Sequence, residues 1–315
     1  MAEFLKDFVE LYGSKRWGLS AYTGNVGLIE NYINPILGEY YVQDVSRRVV
    51  DGFVMKLQKT PPVSTPYRKA RTETLPPCTI EKICKVMHCA FRQAVRWDMV
   101  TKNPFDDVLL PKKEKKVRDI WTVEVIRQAL DNCSEGKLFI AINLAFACSL
   151  RLGEITGLTW DCVHISDADI AKDNAHIIVN KELARVDQKA INAIGGKDIL
   201  FMFPRMIRGK STTRLVLKKP KTETSIRKIW LPKTLAYILR DWKVKQDKLK
   251  EFMGDEYVDY NLVLALETGR PCEDRVIGNQ FERLKKSAGL PNVVFHSLRH
   301  SSTTYKLKLN HGDIK

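Results

Sequence analysis

Residues 149–158 read SLRLGEITGL, and they follow directly on the apolar run Leu138 to Leu150. That run is too short to cross a bilayer and predicts a buried helix. Arg151 therefore leaves the end of a buried element, where part of its guanidinium is desolvated and needs an anionic partner. Glu154, three residues on, is close enough to orient that guanidinium or to cap the next helix. From this motif alone, a structural Arg151–Glu154 pair and a ligand-binding arginine are equally open.

Two further motifs lie towards the C-terminal side. Lys221 stands in KPKTETSIRKIWLP (219–232), in a Lys-Pro-Lys-Thr turn between two predicted strands, where a long cationic side chain can swing over a ligand. Lys218, Lys219 and Lys228 are near enough to leave the choice of lysine open. His296 and Arg299 stand in FHSLRH (295–300) at i,i+3 spacing, on one face of a helix. An ordinary capping histidine explains that pair by itself. Phosphoryl transfer explains the set: its transition state spreads negative charge over non-bridging oxygens, which planar arginines clamp with paired hydrogen bonds. A lysine or histidine supplies the leaving oxygen's proton, so no metal or other cofactor is required.

The composition supports an anionic partner. The 315 residues carry 52 Lys and Arg against 37 Asp and Glu, a formal charge of +15, which favours nucleic acid over an anionic membrane surface. At this length two domains are expected, each with its own core. Residues 1–13, MAEFLKDFVELYG, lack the basic start and small-residue cleavage site of a secretory signal. Seven scattered cysteines without a CxxC pair suit a reducing cytosol. Cys84, His88 and Cys89 sit on neighbouring turns but have no second ligand pair, so a structural role is expected rather than zinc.

The first hundred residues predict helices: one from Phe4, Leu5, Phe8, Val9 and Tyr12, a second capped by Ser20 and stopped at Pro35, a third over 46–57. The Pro-rich stretch 61–77, with the basic insert Arg68, Lys69 and Arg71, interrupts them. Residues 79–97 then give the clearest amphipathic helix. Ile80, Ile83, Met87, Ala90, Phe91 and Ala94 share one face, and Lys82, Lys85, Arg92 and Arg96 share the other with no intervening acid. That stripe is expected to contact phosphates. The linker 108–119, VLLPKKEKKVRD, adds Lys112, Lys113, Lys115, Lys116 and Arg118, and marks the boundary between 1–107 and 120–315.

Beyond the linker, helices are expected from Thr122, over 137–149, 232–253, 274–288 and 296–309. HIIVNKELARVD, TRLVLKK and IRKIWLP read as strands, with LKKPKTETSIRK as a hairpin tip, while 188–209 fits no pattern and reads as an insertion. The fold class is mainly α with a small antiparallel sheet: a helical N-terminal domain followed by an α+β domain.

These motifs together resemble the tyrosine recombinases, the phage-integrase family. The similarity rests on Ala94, Trp97, Asn103 and Pro104 ahead of the linker, on Leu150, Arg151, Gly153 and Glu154, on Lys221, Thr222 and Arg227, and on His296, Leu298, Arg299 and His300. The opening residues are most like integrases of conjugative transposons. The resemblance implies a core-binding domain and a catalytic domain that clamp duplex DNA and recombine it through a 3′-phosphotyrosine, to excise and integrate a mobile element. It implies that Arg151 and Arg299 grip the scissile phosphate, Lys221 protonates the leaving 5′-oxygen, His296 assists, and Glu154 and His300 support them. It further implies dimers to tetramers on DNA, DNA-bending accessory proteins, and a bacterial, cytoplasmic, nucleoid-associated setting.

The family's GH motif and nucleophilic tyrosine do not occur before Lys315, and Tyr305 is only six residues beyond Arg299, in the wrong segment for in-line attack. The expectation is a portion of a longer integrase that binds DNA without cleaving it in cis. A type IB topoisomerase and a non-catalytic DNA-binding regulator are the alternatives.

Overall fold

The structure, a computed structural model, describes residues 1–64, 69–70, 72–112, 119–205 and 211–309. Two compact units emerge. The first comprises Met1–Lys116 with Val186–Lys197 and Lys210–Thr213, and the second comprises Val117–Arg185, Asp198–Gly209 and Arg214–Lys315.

The first unit is helical. Its opening rod runs through Ala2–Asp7, a wider π turn Phe8–Gly13, and Ser14–Arg16, and it stops where Trp17 turns extended. The second rod, Leu19–Leu28, Ile29–Ile33 and Asn34–Leu37, departs from expectation at both ends. Its cap is Gly18 rather than Ser20. It also continues past Pro35, because the π turn Ile29–Ile33 places that proline in the first turn of the following segment, where a missing N–H costs nothing. The helix Arg47–Gln58 begins as expected at Ser46, whose hydroxyl accepts from the Val49 N–H.

The helix Pro77–Arg96 carries this unit's core. Its apolar face is buried, and Phe91 stands 6.2 Å from Phe4 and 5.3 Å from Phe105 between ring centroids. Asn103 fixes the chain that follows, donating to the His88 carbonyl at 3.1 Å and accepting from the Phe105 N–H at 3.0 Å, which seats the Phe105 ring. Lys82, Lys85, Arg92 and Arg96 are exposed on the opposite side, but the stripe is not free of acid. Glu81 lies one turn before Lys85 and pairs with it at 2.7 Å, because i,i+4 side chains are neighbours on a helix.

Residues 188–209 are not patternless. Asp187 caps a helix, Gln188–Ile194, that ends at left-handed Gly195 and packs against Leu19–Leu28. The strand Ile199–Met202 follows. A helix of seven residues is too short to show an apolar stripe; its two caps were the readable signal.

In the second unit the helix Gly136–Ala147 is the spine, buried along Leu138, Ile140, Ala141, Ile142, Leu144 and Ala145. Packed on it are the helices Lys233–Met253, Asp274–Ser287 and Ser297–Leu309. Among the described residues the strands β1 (Val163–His164), β2 (His176–Val179), β3 (Glu182–Asp187), β4 (Ile199–Met202), β5 (Thr213–Lys218) and β6 (Arg227–Trp230) form two sheets, ordered β1-β2-β6 and β3-β5-β4. The pairs β1–β2, β2–β6 and β4–β5 are antiparallel. The expected hairpin across 217–228 is therefore a crossover between sheets: β5 pairs with β3 and β4, and β6 with β2. Sequence adjacency favours a hairpin, but each strand already has partners elsewhere.

Among the described residues no helix is long and apolar enough to cross a membrane. All seven cysteines are free. Cys84 is buried, His88 pairs with Asp106 at 3.0 Å, and Cys89 lies 3.6 Å from the Tyr12 hydroxyl, so the three turn to different partners. Burial pushes the Cys84 thiol up to about 11, and those of Cys148 and Cys272 up to about 12. Since the thiolate is the reactive form, an aromatic disulfide reagent at pH 8 should label exposed Cys78 in the native protein. These three thiols should react only at the rate of unfolding; fast labelling of Cys148 or Cys272 under native conditions would contradict the packing.

Candidate active site

The motif 149–158 builds the site through its backbone. After Ala147 the chain turns at Ser149, a non-glycine residue at φ +52°, a left-handed conformation that costs an L-residue about 1–2 kcal/mol. Leu150 is then buried and Arg151 stands at the head of the short helix Leu152–Thr156. Gly153 and Gly157 lie on the face of that turn nearest β3. A Cβ on Gly157 would sit 2.4 Å from the Leu183 nitrogen, and one on Gly153 would sit 3.1 Å from the Leu183 carbonyl oxygen. Without side chains there, the turn seats directly on the strand and carries Glu154 into the interior, 2% exposed.

Three arginines converge on that carboxylate. Arg227, on β6, forks onto it with Nη2–Oε2 at 2.8 Å and Nη1–Oε1 at 3.1 Å. Arg151 places Nη1 2.8 Å from Oε1 and donates its backbone N–H to Oε2 at 2.9 Å. Arg299 brings Nη1 to 4.0 Å from Oε2 and donates it to the Ser149 carbonyl. Burial alone would raise the Glu154 pKa, but hydrogen bonds from Arg227 and from the Arg151 backbone, with the Arg227 charge, hold it below the usual carboxylate range. Burial, reinforced by the Arg151 charge, lowers Arg299 from its ordinary value despite Glu154. Three guanidinium groups on one carboxylate leave the cluster net positive. With the Arg151 side chain 48% exposed, the cluster can accept an anion from solvent.

Strand alternation sorts the neighbouring cations. Arg227 and Ile229 face inward on β6, while Lys228 and Trp230 face outward, with the Lys228 ammonium 3.9 Å over the Trp230 ring. Lys218 is held by Glu182. Lys219 and Lys221 are exposed, and Lys221 forms no hydrogen bond or ion pair among the described residues. His296 is exposed in the turn just ahead of the helix Ser297–Leu309, its ring 5.1 Å from His300 and nearly perpendicular to it. The loop before it is held by Trp121, whose Nε1 donates to the Pro291 carbonyl at 3.0 Å, and by buried Lys285, which donates to the Val293 carbonyl at 2.7 Å. The Tyr305 ring lies against Phe146, centroids 5.8 Å apart.

The structure thus joins Arg151, Glu154 and Arg299 into one cluster and pairs His296 with His300. Lys221 is joined to neither by a hydrogen bond. Of the cations expected on DNA, Lys69, Lys82, Lys85, Arg92, Arg96 and Lys112 are exposed, whereas Arg68, Arg71, Lys113, Lys115, Lys116 and Arg118 lie outside the described residues. Arg227, the most fully engaged partner of Glu154, had no assigned role in the sequence reading, although it was one of the residues that carried the resemblance, and its alternation with Ile229 on a predicted strand was a second signal.

No family model matches the chain. Among curated proteins it is 24% identical over 283 residues to a tyrosine recombinase XerC-like protein of Caldanaerobacter subterraneus subsp. tengcongensis, covering 86% of this chain and 65% of that protein. It is 24% identical over 266 residues to the ICEBs1 integrase of Bacillus subtilis, covering 80% of this chain and 63% of that one. The chain therefore spans just under two thirds of the length of these relatives. Among solved structures, the Tn1549 transposon integrase in complex with a circular intermediate DNA superimposes with a TM-score of 0.72 at 17% identity, over 99% of this chain and 87% of that one. A lambda integrase dimer bound to a COC′ core site gives 0.58 at 16% identity, over 98% and 89%. The fold is accordingly that of the integrases. In sequence the chain is similar to tyrosine recombinases, and in both sequence and fold it is similar to integrases of mobile elements.

Proposed function

We propose that this chain is the DNA-gripping part of a site-specific recombinase that cuts and rejoins duplex DNA through a 3′-phosphotyrosine, moving a mobile element. The observation that carries the reading is the convergence of Arg151, Arg227 and Arg299 on buried Glu154. Arg227 and Glu154 form the base of the cluster, and Arg151 and Arg299 offer N–H groups to the non-bridging oxygens of one phosphate. Lys221 protonates the leaving 5′-oxygen, His296 assists that transfer, and His300 holds the His296 ring. In this reading 1–107 is the core-binding domain, 108–119 the linker and 120–315 the catalytic domain. Copies assemble on DNA as dimers to tetramers, with accessory proteins bending the duplex. Residues 1–315 bind DNA and leave it uncut, since the Tyr305 ring lies tilted against Phe146, about 1.7 helical turns beyond Arg299.

The reading is tested by titrating a fluorescent duplex with the protein at several salt concentrations. Affinity should fall steeply with salt, each neutralised phosphate adding about 0.9 to the log–log slope. Arg92→Ala and Arg96→Ala should each weaken binding across sequences and reduce the slope by about 1. Lys85→Ala should do less, because Glu81 already occupies that ammonium. A shallow slope that none of these substitutions changes would remove the phosphate-contacting role of the helix Pro77–Arg96.

A further inference from the structure

We propose that Ser149 is a positioning residue that sets the separation of Arg151 and Arg299, an inference that rests on the phosphate-gripping reading above. Ser149 is the point where three residues of the helix Ser297–Leu309 meet the loop that leads into Arg151. The Arg299 guanidinium donates to its carbonyl, the Ser302 hydroxyl shares a 2.7 Å hydrogen bond with its hydroxyl, and the Lys306 ammonium lies 3.3 Å from the same Oγ and 2.8 Å from the Ala147 carbonyl. Arg299, Ser302 and Lys306 are spaced i, i+3, i+7, the stripe one helix face presents. Ser149 reads that entire stripe.

The backbone at Ser149 matters as much as its hydroxyl. At φ +52° the chain reverses out of the helix Gly136–Ala147, turning the Ser149 carbonyl to Arg299 while Leu150 enters the core. Arg151 is two residues further on, with its own backbone N–H held by Glu154. The path from Arg299 to Arg151 therefore runs through one left-handed serine, fixed on one side by the helix and on the other by Glu154. Clamping one phosphate requires both guanidinium groups to be spaced to within a fraction of an ångström, so any slack in this turn is felt as weaker anion binding.

Five proteins separate the contributions: wild type, Ser149→Gly, Ser149→Val, Ser149→Asn and, as the control for binding at the cluster, Arg151→Ala. Glycine adopts the left-handed turn without strain but removes the hydroxyl, valine removes the hydroxyl and resists the turn, and asparagine tolerates the turn and restores a polar side chain. The probe is orthovanadate, a phosphoryl transition-state mimic, titrated calorimetrically into the 1–315 chain, with thermal midpoints measured in parallel. The expected result is a 5- to 20-fold loss of vanadate affinity in Ser149→Gly with its midpoint within about 2 °C of wild type, a larger loss in Ser149→Val, and recovery to within about 3-fold in Ser149→Asn. A purely structural serine would move the midpoint and leave affinity intact. Wild-type affinity in Ser149→Gly, in a protein whose own binding is abolished by Arg151→Ala, overturns the positioning role alone. Failure of the wild-type chain to bind vanadate overturns the phosphate-gripping reading and this inference with it.

Discussion

Glu154→Ala should destabilise the second unit by about 3 kcal/mol, the lower end of what removal of one partner from a buried ion pair costs. The lower end applies because Arg227 and Arg299 keep 28% of their side chains exposed and Arg151 keeps 48%, so water reaches the orphaned cations. What remains is the mutual repulsion of three guanidinium groups and an unpaired Arg151 backbone N–H. Glu154→Gln should cost less, about 2 kcal/mol, since one oxygen still accepts while the amide N–H group opposes a guanidinium. Both variants should recover stability in millimolar sulfate, with the anion taking the carboxylate's place.

Acid should reveal the same interaction in the wild type. The folded-state pKa of Glu154 lies below its unfolded value, so its contribution is complete above the unfolded pKa and is lost as pH falls through the folded one. Asp274 works in the other sense. Burial raises its pKa despite the 2.9 Å hydrogen bond from Thr156, so that residue favours folding as pH falls. The decisive comparison is Glu154→Gln against wild type in urea titrations between pH 7 and pH 3. Their stability difference should shrink on the acid side of about pH 4.5; a constant difference would show that the charge on Glu154 is not what holds the arginines.

The residues of this cluster stood out in the sequence, but not their roles. Arg151 and Glu154 follow a buried helix in a local motif and Arg299 sits in another; each motif alone left a structural reading open, and the resemblance to the tyrosine recombinases is what joined them. The helix Pro77–Arg96 was equally plain, because twenty residues of amphipathic period leave one solution. Legibility ended where long-range pairing decided the outcome. Nothing local distinguishes a hairpin at 217–228 from a crossover between two sheets, and that difference places Arg227 on Glu154 and Lys228 on the opposite face. Glu81 was visible but overlooked, although i,i+4 geometry required it beside Lys85. The left-handed turn at Ser149 had no residue signal at all, since serine is not the residue expected at positive φ.

Arg299→Ala should slow strand cleavage far more than it weakens DNA binding, and the contrast in magnitude is what identifies a catalytic clamp. In a form of the protein that carries a tyrosine nucleophile, incubated with a nicked duplex bearing the element's end, the rate of covalent adduct formation should fall by about 10²–10³, the usual effect of deleting one preorganised donor from a charged transition state. Binding to the same duplex should fall less than about tenfold, because Arg299 contributes one of many phosphate contacts. Arg299→Lys separates charge from geometry: an ammonium keeps the positive charge, yet it cannot donate to the Ser149 carbonyl and to a phosphate oxygen from one rigid plane, so most of the rate should remain lost. Arg151→Ala should behave like Arg299→Ala, and the double substitution should cost less than the product of the two, because each arginine alone can no longer hold the phosphate in line. A wild-type protein that binds the duplex tightly and never yields an adduct would instead make the arginine cluster a binding site and the chain a non-catalytic DNA-binding protein.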